Sequence, residues 1–118
     1  MSELNIVAYD PRGLPVTCGE LDLKWMLTDK HPELKNRITK KHVEETISSP
    51  NLGIVYVSNH SADSNIYYRK FKEHKFEVEV IVTFKNKEFG RIQSIHFCKE
   101  RSPGEKITWP EQLATKKS

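Results

Sequence analysis

Four side chains in this sequence have types suited to acid–base and phosphate chemistry. His31 opens the basic stretch HPELKNRITKKH, Lys70 lies in NIYYRKF, and RIQSIHFCK contains Ser94 and His96. Histidine can accept or donate a proton near neutral pH, and a lysine can stabilise negative charge that develops on a phosphate. Metal-free RNA cleavage needs these functions: a base for the 2′-OH, a cation for the phosphorane and an acid for the 5′ oxygen. His31, Lys70 and His96 have side chains of these types, and Ser94 places a hydroxyl beside His96 on the same strand. These four are the candidate catalytic residues.

Aromatic and basic side chains near these positions could bind a nucleic acid. Tyr67 and Tyr68 are candidates for stacking on a base, and Arg69 and Arg91 for holding flanking phosphates. Lys41 lies at the predicted start of a helix, where the helix dipole disfavours a positive charge, so a phosphate could be its partner. The simpler interpretation is that these residues are packed aromatics and solvated surface charges.

Length and composition indicate one domain. The chain has 118 residues, of which 36% are hydrophobic, and this length is typical of a single domain. We divide it into an N-terminal segment (residues 1–28), a core (29–99) and a C-terminal tail (100–118). No apolar run reaches the roughly 20 residues that span a bilayer, and MSELNIVAYD lacks the features of a secretory signal. We expect a cytoplasmic protein in which Cys18 and Cys98 are reduced.

Charge is distributed unevenly along the chain. Residues 1–68 carry 7 Lys and Arg and 9 Asp and Glu, whereas residues 69–118 carry 12 and 7. A basic half is a mild indication of a polyanionic partner such as RNA, although the surplus could serve solubility alone. We expect neither a metal nor another cofactor, because no Cys or His cluster has the spacing of a zinc site.

The order of elements predicts the fold class. Residues 4–10 could form a short strand, and residues 20–28 mix helical and strand periods. Residues 29–49 have the caps and apolar spacing of one bent helix or two short ones. Four strand-like runs joined by short loops follow: GIVYVS, NIYYRKF, FEVEVIVTFK and RIQSIHFCK. Short loops require antiparallel neighbours. The prediction is α+β, with N-terminal helices packed on a four-stranded antiparallel meander sheet.

Strand alternation predicts which side chains share a sheet face. One face would be the core, formed by Tyr67, Phe71, Phe76, Val78, Val80, Val82, Phe84, Ile95 and Phe97. The other face would be open to solvent and show Tyr68, Lys70, Glu77, Glu79, Ser94 and His96. The alternation of the last strand is even enough that the opposite register, with Ser94 and His96 buried, stays possible.

These motifs resemble a known nuclease group. The helical HPE, the helix HVEETISSPN, the strand with Tyr67, Tyr68 and Lys70, and a last strand with a hydroxyl at Ser94 are similar to the phage-associated BECR-fold RNases, the barnase, EndoU, colicin and RelE-like group. The resemblance covers residues 29–99. It implies the same α+β fold, metal-independent RNA cleavage, and functional roles for His31, Tyr67 or Tyr68, Lys70 and Ser94. The chain departs from the group in having serine where threonine is usual and His96 where an aromatic residue is usual.

Three functions are compatible with the sequence. The first is a small ribonuclease, such as a toxin of phage or mobile-element origin, with a cognate antitoxin or inhibitor protein as partner. The second is a non-catalytic RNA-binding module, which needs only the basic and aromatic surface. The third is an inhibitor-like module whose sheet face binds another protein through an apolar patch. We rank them in that order; the first requires His31, Lys70 and Ser94 or His96 to converge around one phosphodiester group.

Overall fold

The chain begins with a β-hairpin. The structure, a computed structural model, describes residues 4–86, 88–101 and 106–110. β1 (Leu4–Tyr9) and β2 (Pro15–Gly19) pair in antiparallel fashion. Their loop turns at Gly13, whose φ of 83° lies in the left-handed region that glycine adopts without strain.

Two helices follow the hairpin. α1 (Glu20–Thr28) starts directly after β2, and the acidic Glu20 and Asp22 lie in its first turn, where the helix dipole favours them. A 3-10 turn at Pro32–Leu34 leads to α2 (Lys40–Ser48). Thr39 caps α2: its hydroxyl accepts a bond from the backbone N–H of His42, and the His42 ring accepts one from the Thr39 N–H. Residues 29–49 therefore form two short helical pieces.

Five further strands complete one mixed sheet. They are β3 (Val55–Val57), β4 (Ser64–Arg69), β5 (Glu77–Thr83), β6 (Gly90–Cys98) and β7 (Lys106–Trp109). The order in the sheet is β1-β2-β6-β5-β4-β3-β7. β2 and β6 are parallel neighbours, and every other pair is antiparallel.

The predicted fold of N-terminal helices on a four-stranded antiparallel meander is wrong. The sheet has seven strands and is mixed, and two strands precede the first helix. The sequence pattern does not predict β2, because the consecutive residues Val16, Thr17 and Cys18 are all buried. A strand that is buried on both faces lacks the two-residue alternation of apolar and polar side chains. The parallel pairing of β2 with β6 joins Val16 to Gly90, and no local pattern reveals a contact so distant in sequence.

The face of the sheet that packs against α1 and α2, here the helix face, carries the main core. It buries Tyr67, Val78, Val80, Val82 and Ile95, with Phe97 packed at its margin. A bulge in β6 leaves Gln93 without an opposite residue on β5, because Ile81 pairs with Ser94 and Val82 with Ile92. The bulge lets Ile92 join the core as well, so β6 does not keep a strict alternation along its whole length.

The other face, here the outer face, is less open than the sequence suggests. Tyr68 is 1% exposed and Glu79 is 7% exposed. The guanidinium of Arg101 lies over the Tyr68 ring at 4.2 Å and makes two hydrogen bonds with Glu77, of 3.0 and 2.8 Å. The segment after β6 therefore covers this part of the sheet. In the described part of the chain, no helix is long and apolar enough to cross a membrane. The end of the predicted tail, residues 111–118, lies outside the described residues.

Candidate active site

A carboxylate and an imidazole pair across two central strands of the outer face. Tyr68, Glu79 and His96 lie opposite one another on β4, β5 and β6. Oε1 of Glu79 forms an ion-pair contact with Nε2 of His96. The Glu79 side chain is only 9% exposed and that of His96 is 33% exposed. The buried carboxylate of Glu79 therefore contacts one edge of the His96 ring, and solvent can reach the other edge. An ionised carboxylate accepts hydrogen bonds only, so this contact places a proton on Nε2 of His96.

The second ring nitrogen of His96 faces a hydroxyl. Oγ of Ser94, two residues earlier on the same face of β6, lies 3.4 Å from Nδ1 of His96. With the proton held on Nε2, Nδ1 carries the lone pair of the neutral ring. A contact of 3.4 Å is long for a hydrogen bond, so Ser94 orients Nδ1 weakly and a substrate hydroxyl could replace it.

His31 brings a second imidazole to the same place. It lies just before the Pro32–Leu34 turn, and its ring centroid is 6.1 Å from that of His96, with the ring planes 57° apart. Nδ1 of His31 lies 3.2 Å from Oε1 of Glu33, and the His31 side chain is 28% exposed. This contact with Glu33 leaves Nε2 of His31 for another partner. Two partly exposed imidazoles, each contacted by a glutamate, thus lie next to each other.

A cation borders this pair. Lys30 directly precedes His31, and its Nζ lies 3.4 Å from the backbone carbonyl oxygen of Gln93, the residue before Ser94. The same ammonium lies 5.5 Å from the centroid of the Trp25 ring. The sequence analysis did not single out Lys30. Its position next to His31 in a basic stretch was the available signal, but only the packing of this loop along β6 shows that it borders the site.

The structure brings His31, Ser94 and His96 together and places Lys70 elsewhere. Lys70 follows the last residue of β4, and its Nζ donates to the backbone carbonyls of Phe71 and His74. This ammonium closes the turn after β4. Glu79, which the sequence analysis put on the open face but did not select as a candidate catalytic residue, is the residue that contacts His96.

The predicted substrate-binding residues do not form one group with the histidines. Tyr67 is buried on the helix face, where its hydroxyl donates to Asp10 at 2.9 Å, and the Tyr68 ring is covered by Arg101. Arg69 donates to the Ser49 carbonyl and lies 4.0 Å from a Glu45 carboxylate oxygen. Arg91 and Lys41 are both exposed, Arg91 on β6 and Lys41 in the first turn of α2. Neither tyrosine presents a free ring surface to a base.

A buried polar network at the β1–β2 loop is the strongest electrostatic feature away from the histidines. The Asp10 carboxylate, whose side chain is fully buried, accepts bonds from the Arg12 guanidinium, the Tyr67 hydroxyl and the Leu14 backbone N–H. Burial raises the pKa of Tyr67, and the neighbouring negative charge of Asp10 raises it further. Because the partners satisfy one another and none is open to a ligand, we assign this network to the fold.

Comparisons with known proteins found no match to this chain. No family model, no curated protein and no solved structure matches it. In the described residues, no three His, Cys, Asp or Glu side chains are arranged so that they could hold a metal ion.

Proposed function

We propose that this protein is a small metal-independent endoribonuclease. The observation that carries the proposal is the pair of imidazole rings of His31 and His96, whose centroids are 6.1 Å apart, each contacted by a carboxylate. Rings at that separation are close to contact, so we place the phosphodiester group across the exposed edges of both rings, where each ring can reach one of its oxygens. Acid–base catalysis by positioned side chains requires such placement within hydrogen-bond reach of the reacting oxygens.

The two histidines have different roles. His96 acts as the base: Nδ1 takes the proton of a ribose 2′-OH, the 2′ oxygen attacks phosphorus, and Glu79 stabilises the imidazolium that forms. His31 acts as the acid: with its ring protonated and held by Glu33, Nε2 donates a proton to the 5′ oxygen as the bond from phosphorus to that oxygen breaks. The products are a 2′,3′-cyclic phosphate and a free 5′-OH. Lys30, at the border of the site, supplies positive charge for the phosphorane.

The site geometry supports this function independently of the fold expected at first. The seven-stranded mixed sheet departs from the fold that the resemblance to BECR-fold RNases implied, and Lys70 lies away from the histidines. The proposal is supported instead by the convergence of three residues selected in the sequence analysis, His31, Ser94 and His96, from two distant segments of the chain.

The test is cleavage of an end-labelled, mixed-sequence RNA in the presence of EDTA. We compare the wild-type protein with His31→Ala and His96→Ala, and use His60→Ala as the matched control because His60 lies exposed in the β3–β4 loop. A general acid or base typically contributes 10²- to 10⁴-fold. We expect a loss of at least about 100-fold in each site variant, none in the control, and cyclic-phosphate ends on the products.

Two results would contradict the proposal. One is the absence of cleavage by wild-type protein that circular dichroism shows to be folded. The other is cleavage that persists unchanged in His96→Ala, which would indicate a different site or a contaminating nuclease.

A non-catalytic RNA-binding module is the second candidate function. It is favoured by one observation: the half-exposed Phe76 ring has the ammonium groups of Lys75 and Lys99 each 5.6 Å from its centroid. Such a surface can bind a single strand by stacking and charge alone. Salt-dependent RNA binding by a protein that does not cleave would distinguish this function from the first.

A nuclease made inside a cell must be restrained, so we also propose a toxin role with an inhibitor protein as partner. The inhibitor would cover the exposed edges of His31 and His96 and carry negative charge opposite Lys30. A cytoplasmic location fits this role, because RNA is the substrate and a reducing compartment suits the buried thiols of Cys18 and Cys98.

A further inference from the structure

A second feature of the molecule, separate from the histidine pair, is a cavity beside the start of α2. Its volume is about 590 Å³, and its walls include Arg37, His42, Glu73, Lys75, Phe76 and Phe97. This volume lies within the range of small-molecule sites, about 300–1,000 Å³. It is large enough for one nucleotide.

The walls offer aromatic surface. Phe76 is half-buried and contributes a ring to the cavity, with Lys75 and Lys99 at its margins. A chain of edge-to-face contacts backs the cavity: His42 to His74 at 5.0 Å and His74 to Phe97 at 4.9 Å between centroids. A rigid aromatic wall next to an exposed ring is a surface on which a planar base can stack.

The charges of the walls suit a ligand with one anionic end and one end that donates hydrogen bonds. Arg37 and Lys75 form no ion pair with any carboxylate among the described residues. Glu73, by contrast, has a cationic or donor neighbour in the same wall: its Oε2 lies 3.4 Å from Nε2 of His42. The backbone N–H of Glu73 itself, together with His42, holds the pKa of that carboxyl below its usual value, so it is an acceptor for N–H donors.

Adjacent residues of β6 contribute to the cavity and to the histidine pair. Phe97 lines the cavity and His96, the preceding residue, belongs to the catalytic pair on the opposite face. Among the described residues β6 pairs with β2 only at Gly90 and Arg91. The edge of β6 next to His96 and Phe97 therefore carries no strand partner in the described part of the chain. The loop of Lys30 and His31 lies along this edge instead, and a polynucleotide that crosses this loop could reach both faces.

We propose that this cavity is a nucleotide subsite that holds one base of a single-stranded RNA near the phosphodiester that His31 and His96 cleave. The base stacks on Phe76, its exocyclic amino group donates to Glu73, and its phosphate lies against Arg37 and Lys75. This inference rests on the proposed nuclease function for its substrate, but the binding itself does not depend on cleavage.

The test is titration of ¹⁵N-labelled protein with adenosine 5′-monophosphate in EDTA, followed by NMR. Phe76→Leu keeps an apolar side chain and removes the ring. The matched control is Phe89→Leu, since Phe89 is also a half-buried ring that lines a cavity with nearby cations, Lys85 and Arg91. Stacking on an aromatic side chain is worth enough that its loss should raise Kd by about tenfold.

The expected result is a set of shifts centred on the residues of this cavity, with a Kd about tenfold higher in Phe76→Leu and unchanged in Phe89→Leu. The absence of shifts at the cavity, or an equal Kd in Phe76→Leu and wild type, would overturn the subsite.

Cleavage kinetics separate this inference from the proposed function. His96→Ala should abolish cleavage and leave the nucleotide Kd unchanged, and Phe76→Leu should raise KM. A folded protein that binds the nucleotide and cleaves no RNA would refute the nuclease and retain the nucleotide site. A protein that cleaves RNA with the same KM in Phe76→Leu would retain the nuclease and refute the subsite.

Discussion

Replacing Glu79 by glutamine is the most direct test of whether Glu79 determines which ring nitrogen of His96 acts as the base. Glu79 has a nearly buried carboxylate, and its contact with Nε2 of His96 leaves Nδ1 as the basic nitrogen. Glutamine has almost the same shape but no charge. Its carboxamide oxygen could still accept the Nε2 proton, so the variant removes the charge of residue 79 while the packing beside Tyr68 is kept.

The expected size of the effect follows from the kind of hydrogen bond that is lost. A bond to a charged group contributes roughly 1.5–3 kcal/mol and a bond between neutral groups about 1 kcal/mol. The substitution therefore withdraws about 0.5–2 kcal/mol of support from the imidazolium that forms in the transition state, which corresponds to a roughly 2- to 30-fold fall in kcat. If the amide turns its NH₂ group toward His96, the ring proton moves to Nδ1 and the loss becomes far larger, as a wrong tautomer costs about 10⁴-fold in a Ser-His-Asp triad.

Two measurements check this reasoning, and one of them needs no substrate. Long-range ¹H–¹⁵N NMR should show His96 in wild-type protein as the tautomer protonated at Nε2. Cleavage kinetics should show the fall in kcat with KM nearly unchanged, while Glu45→Gln, which alters a half-exposed carboxylate that lies 4.0 Å from Arg69, should behave like wild type. A wild-type His96 protonated at Nδ1, or full activity in folded Glu79→Gln, would show that Glu79 does not position the base.

The other predictions concern Ser94, the buried network and alkaline stability. Ser94→Ala should lower kcat less than about tenfold, because a 3.4 Å contact only orients His96; complete loss would mean that Ser94 is itself a nucleophile. Asp10→Ala should destabilise the protein by about 3 kcal/mol in urea unfolding, since it leaves the buried partners of the carboxylate unpaired, whereas the exposed Asp63→Ala should change stability by less than about 0.5 kcal/mol. Burial, reinforced by Asp22 and opposed by Arg91, raises the pKa of Cys18 from 9.0 to about 11. The folded protein thus keeps a proton that the unfolded chain has lost between those pH values, so stability should fall over this range by up to roughly 3 kcal/mol. Cys18→Ala should flatten that decline, and a pH dependence of stability equal to that of wild type would contradict it.

Local sequence patterns were enough to identify the central strands and, for most of their residues, the sheet face on which each side chain lies. The run FEVEVIVTF alternates apolar and polar residues except at Ile81, and Val78, Val80 and Val82 are all fully buried on the helix face. A period of two is a direct consequence of strand geometry, so it can be read without knowing the partners. The same alternation correctly put Glu79, Ser94 and His96 on one face, which is why part of the candidate site could be found from the sequence.

Contacts that depend on distant segments could not be predicted. The His31 loop lies along β6 because α1 leaves the sheet beside the parallel β2–β6 pair, and that pairing joins residues separated by most of the chain. The burial of Tyr68 depends in the same way on Arg101, which lies beyond the last strand that the alternation identified. Lys70 shares its strand parity with Tyr68 up to the end of β4, but the strand ends at Arg69 and the side chain turns to nearby carbonyls.

Because the parallel pairing of β2 with β6 is short, β6 can contribute residues both to the histidine pair and to the proposed nucleotide cavity. Had β2 continued alongside β6 past Arg91, its backbone would have covered the edge next to His96, and the His31 loop could not have approached that ring. Instead the chain leaves the sheet at Gly19 to form α1, and the loop after α1 returns to this edge with Lys30 and His31. The uncovered end of β6 can then carry a reactive group on one face and an aromatic wall on the other. Extending β2 by design should therefore suppress cleavage of the labelled RNA, although it alters neither histidine.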